Sequence, residues 1–212
     1  YYLFLAYGSL SVEYNTRVCR SRNIDGPYVD IHGNSAMGSA QLYPILTAPY
    51  RFDNSYGWVG ISHCGIFDDG AGNWFYTSQG RFPVNVGGNE YSNAIMMGHV
   101  RSIRWDANGW PLVMPERYGA VPQAPITENE IAGDWEHLAL TNSTGTQRTS
   151  ETMTYDLDTH KITSGSWKNA TWTFDAATQT ITTSAGVVLY LQRETDWEAS
   201  PRTHTIVYVA QG

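Results

Sequence analysis

The chain has 212 residues, only 16% of which are charged, and it carries a formal net charge of -7 with no run of Lys or Arg. This balance excludes the basic surface that nucleic acids attract, and no segment approaches the roughly 18 consecutive apolar residues of a membrane span. The abundance of Tyr, Trp, Gly and Pro is typical of strands and turns, so we expect an all-β protein with neither nucleic acid nor membrane as a partner.

Short apolar or aromatic runs, broken by turn residues, follow one another from residue 1 to about residue 114 and predict antiparallel strands with few helices. The predicted strands are Tyr1–Tyr7, Thr16–Arg20, Tyr28–Ile31, Gly57–Phe67, Trp74–Ser78, Ala94–Trp105 and Pro111–Met114. Two sections repeat a pattern of aromatic strand, Arg-containing strand and turn, as propeller blades do. Because chain termini are usually loose and exposed, an apolar strand at the very start leads us to expect a further segment ahead of it.

A Pro-rich stretch predicts a domain boundary. Pro115, Pro122 and Pro125 are separated by small and polar residues, as in many linkers. We therefore predict a first domain at residues 1–118, a linker at residues 119–125 and a second domain at residues 126–212. The second domain is rich in Thr and alternates polar with apolar residues, which indicates the half-buried strands of a small β-barrel or sandwich.

The acidic residues of the first domain do not predict a catalytic pair. Hydrolysis of glycosidic bonds usually needs two carboxyl groups that face each other across the scissile bond. Each acid here lies among turn residues, where a capping or solvated role is usual; these acids are Glu13, Asp53, Asp68, Asp69 and Glu90. The sequence also lacks a nucleophile elbow and a phosphate-binding glycine loop. Its two cysteines, Cys19 and Cys64, are too few for a disulfide framework, and we expect buried free thiols.

Two side chains are candidates for binding. His63 lies between small residues in the apolar run Gly57–Phe67, so its imidazole should point into a packed core or into a central cavity. Judged by the residues alone, a histidine without companion ligands is more often a core residue. Arg81 follows an aromatic strand, as in sugar sites that combine aromatic faces with a few polar groups. The alternative is a surface Arg that lies over an aromatic ring.

Several motifs are shared with a known family. They are Tyr7-Gly8-Ser9-Leu10, Tyr14-Asn15, Arg17-Val18, Arg20-Ser21, Gly26-Pro27-Tyr28-Val29-Asp30, the run from Gly57 to Asp69, Arg81-Phe82-Pro83, and the run from His99 to Tyr118. With these motifs the chain resembles the arabinanases of glycoside hydrolase family 43, from the segment after the general acid to the exit from the propeller. Residues 126–212 are similar to the β-barrel appended to the longer bacterial arabinanases.

The resemblance implies that residues 1–118 are the last blades of a five-bladed β-propeller, followed by a small β-barrel. It implies an inverting hydrolase of α-1,5-linked arabinan whose catalytic carboxylates lie on earlier blades, in an N-terminal segment or a separate chain. This chain alone would then be inactive, with no catalytic residue of its own. The resemblance further implies that His63 holds one calcium ion together with waters. It also implies that Tyr7, Ser9 and Arg81 contact arabinan or an arabino-oligosaccharide, in a secreted or periplasmic bacterial protein.

The family pattern is not matched everywhere. Ser62-His63-Cys64 stands where the family commonly has Gly-His-Asn, so the neighbouring residues that hold the His63 side chain in place differ from the family pattern. Gln79-Gly80-Arg81 stands where it has His-Thr-Arg, which affects the sugar-binding rim. A second hypothesis is a non-catalytic carbohydrate-binding module. Its second domain would hold polysaccharide through tryptophans that are more often core residues on alternating strands; they are Trp135, Trp167, Trp172 and Trp197.

Overall fold

Strands dominate the protein in a computed structural model that describes residues 1–52, 54–141 and 147–211. They are β1 (Tyr2–Tyr7), β2 (Asn15–Arg20), β3 (Ile45–Thr47), β4 (Tyr50–Arg51), β5 (Gly65–Asp68), β6 (Trp74–Arg81), β7 (Met96–Trp105), β8 (Pro111–Val113), β9 (Gly133–His137), β10 (Arg148–Thr149), β11 (Glu151–Asp156), β12 (Lys161–Ile162), β13 (Trp172–Asp175), β14 (Thr180–Thr183), β15 (Val188–Asp196) and β16 (Thr203–Gln211). The helices among the described residues are two short 3-10 turns, Ser92–Ala94 and Glu128–Glu130, and neither could span a membrane. The expected all-β chain with few helices is confirmed.

Among the described residues, the strands are hydrogen-bonded in five groups. Their orders are β1-β2-β3, β4-β10, β5-β6-β7-β8, β12-β11-β9 and β13-β14-β15-β16. The chain divides into two compact units, each assembled from separate stretches of sequence. The first unit comprises Tyr1–Ile66, Tyr76–His99 and Ala139–Thr149, and the second comprises Phe67–Phe75, Val100–Leu138 and Ser150–Gly212.

An aspartate organises the same kind of turn at three points along the chain. Asp30, Asp69 and Asp106 each accept, through one carboxylate oxygen, the backbone N–H groups two and four residues ahead, at 2.7 to 3.1 Å. The backbone N–H of each aspartate donates in return to the carbonyl four residues ahead. Such Asx-type bonds close a turn locally, because the side chain imitates a backbone acceptor. The same local hydrogen-bond pattern therefore closes a turn at each of these three aspartates, while the repeat seen in the sequence stays a prediction.

Two of the predicted strands are wrong in extent. Within Gly57–Phe67 only Trp58 and Val59 form isolated bridges, and a regular strand begins at Gly65. Gly57, Gly60 and His63 adopt φ of 64°, 64° and 59°, which interrupts a ladder of extended residues. Likewise, Tyr28–Ile31 contributes only bridges at its second residue before the chain bends at the following aspartate.

The core of the first unit is built around β2. Thr16, Val18 and Cys19 of this strand are fully buried, and residues of β3, β4 and the Trp58–Ile61 stretch are also buried. Cys19 and Cys64 are both unpaired, as expected, but Cys64 is only half-buried. Burial raises the pKa of both thiols.

The core of the second unit lies in the C-terminal part of the chain. Its buried members are Ile126, Ile131, Met153, Tyr155, Ile162, Trp172, Ile181, Leu189 and Leu191. The stretch at residues 119–125 is tied to β15, because Arg193 donates to the carbonyls of Ala124 and Pro125 and exchanges backbone bonds with the side chain of Gln123. The domain boundaries at residues 118 and 126 stay predictions.

Candidate functional site

The candidate site lies in the first unit, where three stretches of chain meet at Gly60. The Gly60 N–H donates to the Val12 carbonyl at 3.2 Å. A Cβ on Gly60 would stand 3.0 Å from the Leu10 carbonyl oxygen and 3.1 Å from Cδ of Arg81. With φ of 64°, this position suits glycine on backbone grounds as well. Gly60 therefore brings the turn that carries Ser9 against the side chain of Arg81.

Tyr7 is held from one side by a buried arginine. The guanidinium carbon of Arg17 lies 4.7 Å from the centroid of the Tyr7 ring. Arg17 is only 2% exposed and donates to the side chains of Asn15 and Gln41 and to the Leu42 carbonyl, each at 3.0 Å. Burial lowers the pKa of this guanidinium. A cation over an aromatic face restricts the ring, so the Tyr7 ring has a fixed orientation, and its contact with a sugar stays a prediction.

Ser9 is exposed in the turn that follows β1. Its backbone N–H donates to the carboxylate of Glu13 at 3.3 Å, and its hydroxyl lies 3.4 Å from that of Ser11. Glu13 therefore caps the turn, as its sequence context predicts. The exposed hydroxyl of Ser9 is left at the surface, where it is able to exchange hydrogen bonds with a ligand.

His63 is exposed, so the core interpretation of this histidine is wrong. Its backbone has φ of 59°, a conformation that few residues with a side chain adopt. Among residues 1–52, 54–141 and 147–211, no hydrogen bond or ring contact involves its imidazole. The side chain is thus free to bind a ligand.

Ser62, the residue before His63, is anchored in a buried network of hydroxyl groups. Its hydroxyl donates to the Asn15 carbonyl at 3.1 Å and lies 2.8 Å from the hydroxyl of Thr16. Thr16 in turn lies 2.7 Å from the Tyr76 hydroxyl, which is 3.1 Å from that of Thr47. A fully satisfied polar network rigidifies its surroundings. Serine at this position therefore fixes the backbone that presents His63.

His63 fits a calcium site only as one ligand among several. Calcium takes six to eight oxygen ligands, and imidazole nitrogen is a poor donor for it. In the part of the chain that the structure describes, the one cluster of three acidic, His or Cys side chains with metal-like spacing is Glu116, Asp196 and Glu198 of the second unit. An exposed, unpartnered imidazole matches a site whose other ligands are waters or groups from another segment.

Arg81 is positioned by its backbone and by the ring packing around it. Its backbone N–H and carbonyl exchange hydrogen bonds with Val59 at 2.9 Å. A Cβ on Gly80 would lie 2.3 Å from a ring carbon of buried His99, so only glycine fits there. Trp58 packs edge-on against His99 and stacks on Phe82 at 4.8 Å. The guanidinium donates from Nη1 to the Asn93 carbonyl at 3.0 Å, and contact of Arg81 with a sugar stays a prediction.

The acids considered from the sequence form no facing pair among the described residues. Asp68 and Asp69 accept backbone N–H groups of their own turn, and Glu90 is exposed. Hydrogen bonds, chiefly from the Asn73 side chain, lower the pKa of Asp69. Asp53 lies outside the described residues. None of these contacts places one of the carboxyl groups across a cleft from a second one, as a catalytic pair requires.

One carboxyl cluster in the second unit escaped the sequence analysis. Oxygens of Glu116, Asp196 and Glu198 lie within 4.8 Å of one another, and Glu116 is only 5% exposed. Burial and the hydrogen bond with the Glu198 side chain raise the pKa of Glu116. A hydrogen bond between two carboxyl groups requires a proton on one of them. Because Glu116 is inaccessible, we expect this cluster to hold a proton and not to flank a substrate.

The tryptophans of the second domain offer little to a polysaccharide. Trp172 is 1% exposed and belongs to the core. Trp135 donates from Nε1 to the Ile131 carbonyl and packs on Tyr155, and Trp167 packs on His137. The Trp197 ring has two arginine guanidinium groups within 4.7 Å of its centroid. These contacts favour structural roles, as the alternation along the strands indicates.

Comparison with known proteins adds two family matches. Residues 1–111 match the model of glycosyl hydrolases family 43, and residues 115–212 match the C-terminal lipocalin-like domain of family 43 proteins. The extracellular endo-alpha-(1->5)-L-arabinanase 2 of Bacillus subtilis is 28% identical over 156 residues, which cover 64% of this chain and 32% of that protein. The extracellular endo-alpha-(1->5)-L-arabinanase of Thermotoga petrophila is 30% identical over 155 residues, with 65% and 31% covered.

Solved structures show the same fold. A family 43 glycoside hydrolase from Bacillus licheniformis superposes with a TM-score of 0.80 at 23% identity, over 99% of this chain and 50% of that one. The Thermotoga petrophila endo-1,5-alpha-L-arabinanase gives a TM-score of 0.79 at 23% identity, over 99% and 49%. The chain thus spans between a third and a half of the length of these relatives. The predicted fold, part of a β-propeller followed by a small β-domain, is confirmed, while the number of blades stays a prediction.

Proposed function

The chain belongs to glycosyl hydrolases family 43, and from this membership we propose that it is the C-terminal part of a secreted bacterial enzyme that hydrolyses α-1,5-linked arabinan with inversion. Two relatives are described as extracellular endo-arabinanases, and the chain spans about a third of each. The described acids of residues 1–118 form no facing pair, so the proposal assigns the catalytic carboxylates to an N-terminal propeller half, on a preceding segment or a separate chain. This chain alone is then inactive.

The observation that carries the proposal is the meeting of three stretches at Gly60. A sugar site needs a few polar groups beside an aromatic surface. The exposed hydroxyl of Ser9 and the guanidinium of Arg81 are the polar groups, and Tyr7 supplies a ring held by its cation contact. These side chains bind and orient an arabinofuranosyl chain, while acid and base act from the other half.

His63 completes the part of the site that this chain contributes. Its exposed imidazole supplies one ligand to a calcium ion whose remaining ligands are waters and groups of the N-terminal half. When bound, calcium supplies positive charge that stabilises nearby negative charge. Since imidazole is a weak ligand for this cation, we expect His63 to position the ion more than to hold it alone.

The test uses the enzyme assembled from this chain and its N-terminal half. Its intact mass and elution volume show whether the 23.7 kDa chain is accompanied by a second piece. His63→Ala should lower arabinan hydrolysis and bound calcium together, and His204→Ala, at an exposed histidine of the second unit, should change neither. Unchanged calcium in His63→Ala would remove this residue from the metal site. Arabinan hydrolysis by the isolated 23.7 kDa chain would contradict the two-part proposal.

A further inference from the structure

The side chain of Arg81 depends on one carbonyl for its orientation. Its Nη1 donates to the Asn93 carbonyl at 3.0 Å, and its Nε is buried without an acceptor among the described residues. The guanidinium carries five N–H donors in a rigid fork, so one fixed bond sets the direction of all of them. No acceptor among residues 1–52, 54–141 and 147–211 contacts Nη2, which is left for a ligand.

The Asn93 carbonyl is placed by a loop that is closed by a serine. Ser92 is 4% exposed, and its hydroxyl donates to the Pro83 carbonyl and accepts from the Val86 N–H at 3.1 Å. The Ser92 N–H also donates to the Asn89 carbonyl at 3.1 Å. One side chain therefore ties both ends of the loop from residue 83 to residue 92 together. Without it, two partly buried backbone groups, the Pro83 carbonyl and the Val86 N–H, would lose their partner.

We propose that Ser92 is a positioning residue, which sets Arg81 for substrate through the Asn93 carbonyl. The inference rests on the proposed function, because the substrate is the arabinofuranosyl chain assigned there. The planar guanidinium of Arg81 would donate hydrogen bonds to two neighbouring hydroxyl groups of the sugar. Its orientation then favours a furanose whose hydroxyl groups lie in matching positions. Ser92 itself does not contact substrate.

The first measurement follows Arg81 without substrate. Proton exchange at its Nε–Hε group, assigned with Arg81→Lys, reports whether the buried Nε is protected in the assembled enzyme. Ser92→Ala should accelerate this exchange, and Ser92→Thr, which keeps the hydroxyl, should restore the protection. Ser164→Ala is the matched control, since the Ser164 hydroxyl also accepts a backbone N–H and donates to a backbone carbonyl, but in the second unit. Unaltered exchange in Ser92→Ala overturns the proposal.

The second measurement is a double-mutant cycle on arabinan hydrolysis. Ser92→Ala should raise KM about fivefold, as expected for one weakened hydrogen bond, with kcat nearly unchanged. In an Arg81→Ala background the same substitution should add nothing, because its effect acts through that side chain. An equal rise in KM in both backgrounds overturns the proposal. Ser92→Cys, which keeps the volume and weakens the hydrogen bonds, replaces Ser92→Ala if the alanine variant does not fold.

The two proposals fail in different ways. If the assembled enzyme does not hydrolyse arabinan, or if Arg81→Ala leaves KM unchanged, the assigned substrate role of Arg81 is wrong. The exchange of the Arg81 Nε–Hε proton still decides whether Ser92 positions the guanidinium. If hydrolysis and the Arg81→Ala effect are present but Ser92→Ala changes neither exchange nor KM, the positioning role alone is refuted.

Discussion

Glu116→Gln tests whether the buried carboxyl cluster of the second unit holds a proton. Glu116 is 5% exposed, and one of its carboxyl oxygens lies within 4.8 Å of carboxyl oxygens of Asp196 and Glu198. Burial first, and then Glu198, raise the pKa of Glu116 far above its ordinary value of 4.5, and the nearby Arg101 offsets this only in part. Two like charges so close in a medium of low dielectric constant do not both ionise.

The raised pKa fixes the sign of the pH dependence. The folded state holds a proton that the unfolded chain releases above pH 4.5, so the stabilisation is complete below that pH and is lost as pH rises. One proton corresponds to about 1.4 kcal/mol of unfolding free energy for each pH unit. The loss continues until the folded state also releases the proton. Across the neutral range, this pair should therefore make the protein less stable with each unit of pH.

Glutamine at position 116 imitates the protonated carboxyl, because its amide N–H donates to the Glu198 carboxylate and carries no charge. Urea unfolding between pH 5.5 and pH 8.5 should show a shallower decline for Glu116→Gln than for the wild type, by about one proton. The variant should be the more stable protein at the alkaline end. Glu136→Gln, at an exposed carboxylate, controls for the lost charge. Parallel curves for wild type and Glu116→Gln would refute the shared proton.

Two further substitutions test packing, each with a matched control. Gly80→Ala should destabilise the protein by about 1–3 kcal/mol, because the new Cβ would lie 2.3 Å from a His99 ring carbon. Gly98→Ala is the control, since a Cβ at Gly98 would have nothing within 4 Å, and it should not destabilise the protein. Thermal unfolding compares the two variants. Equal effects would show that the ring moves aside. Tyr155→Phe should be neutral or stabilising, since the buried Tyr155 hydroxyl has no hydrogen-bond partner among the described residues. Tyr208→Phe is the control and should destabilise the protein, because it removes a 2.7 Å hydrogen bond with His137. A destabilised Tyr155→Phe would indicate a water bound to the Tyr155 hydroxyl.

The sequence predicts strands well where an apolar or aromatic run is bounded by turn residues. Trp74–Ser78 and Pro111–Met114 were predicted, and β6 and β8 occupy Trp74–Arg81 and Pro111–Val113. From Tyr76 onward β6 alternates buried with half-buried side chains, and β8 is buried throughout, so in both strands a run of apolar or aromatic residues indicates the sheet directly. The two-residue β4 has no room for a pattern, and nothing in the sequence distinguishes it from a loop.

Prediction fails where the backbone leaves the extended region inside an apolar run. The Gly57–Phe67 run is apolar enough for a strand, but three positive φ values turn it into a chain of bridges and bends. Its two glycines were a visible signal, since glycine within a strand often marks a close approach of another backbone. The bend at His63 had no such signal. This backbone conformation exposes the His63 side chain, whereas in a regular strand the alternation of side chains would have decided which face it pointed to.

The residues that complete the first unit come from far along the chain, and this explains why the sequence did not predict them. Arg148 pairs in parallel with Tyr50, and Gln147 donates to the carbonyls of Tyr50 and Tyr56 at 3.1 and 3.0 Å. A two-residue strand has no period, and a contact across 97 residues leaves no local trace. The same holds for Glu116 and Glu198, which lie far apart in the sequence and come together only in the folded protein. The local sequence pattern therefore predicts the sheets. The contacts between distant segments, which position Trp58 and the candidate site after it, are seen only in the structure.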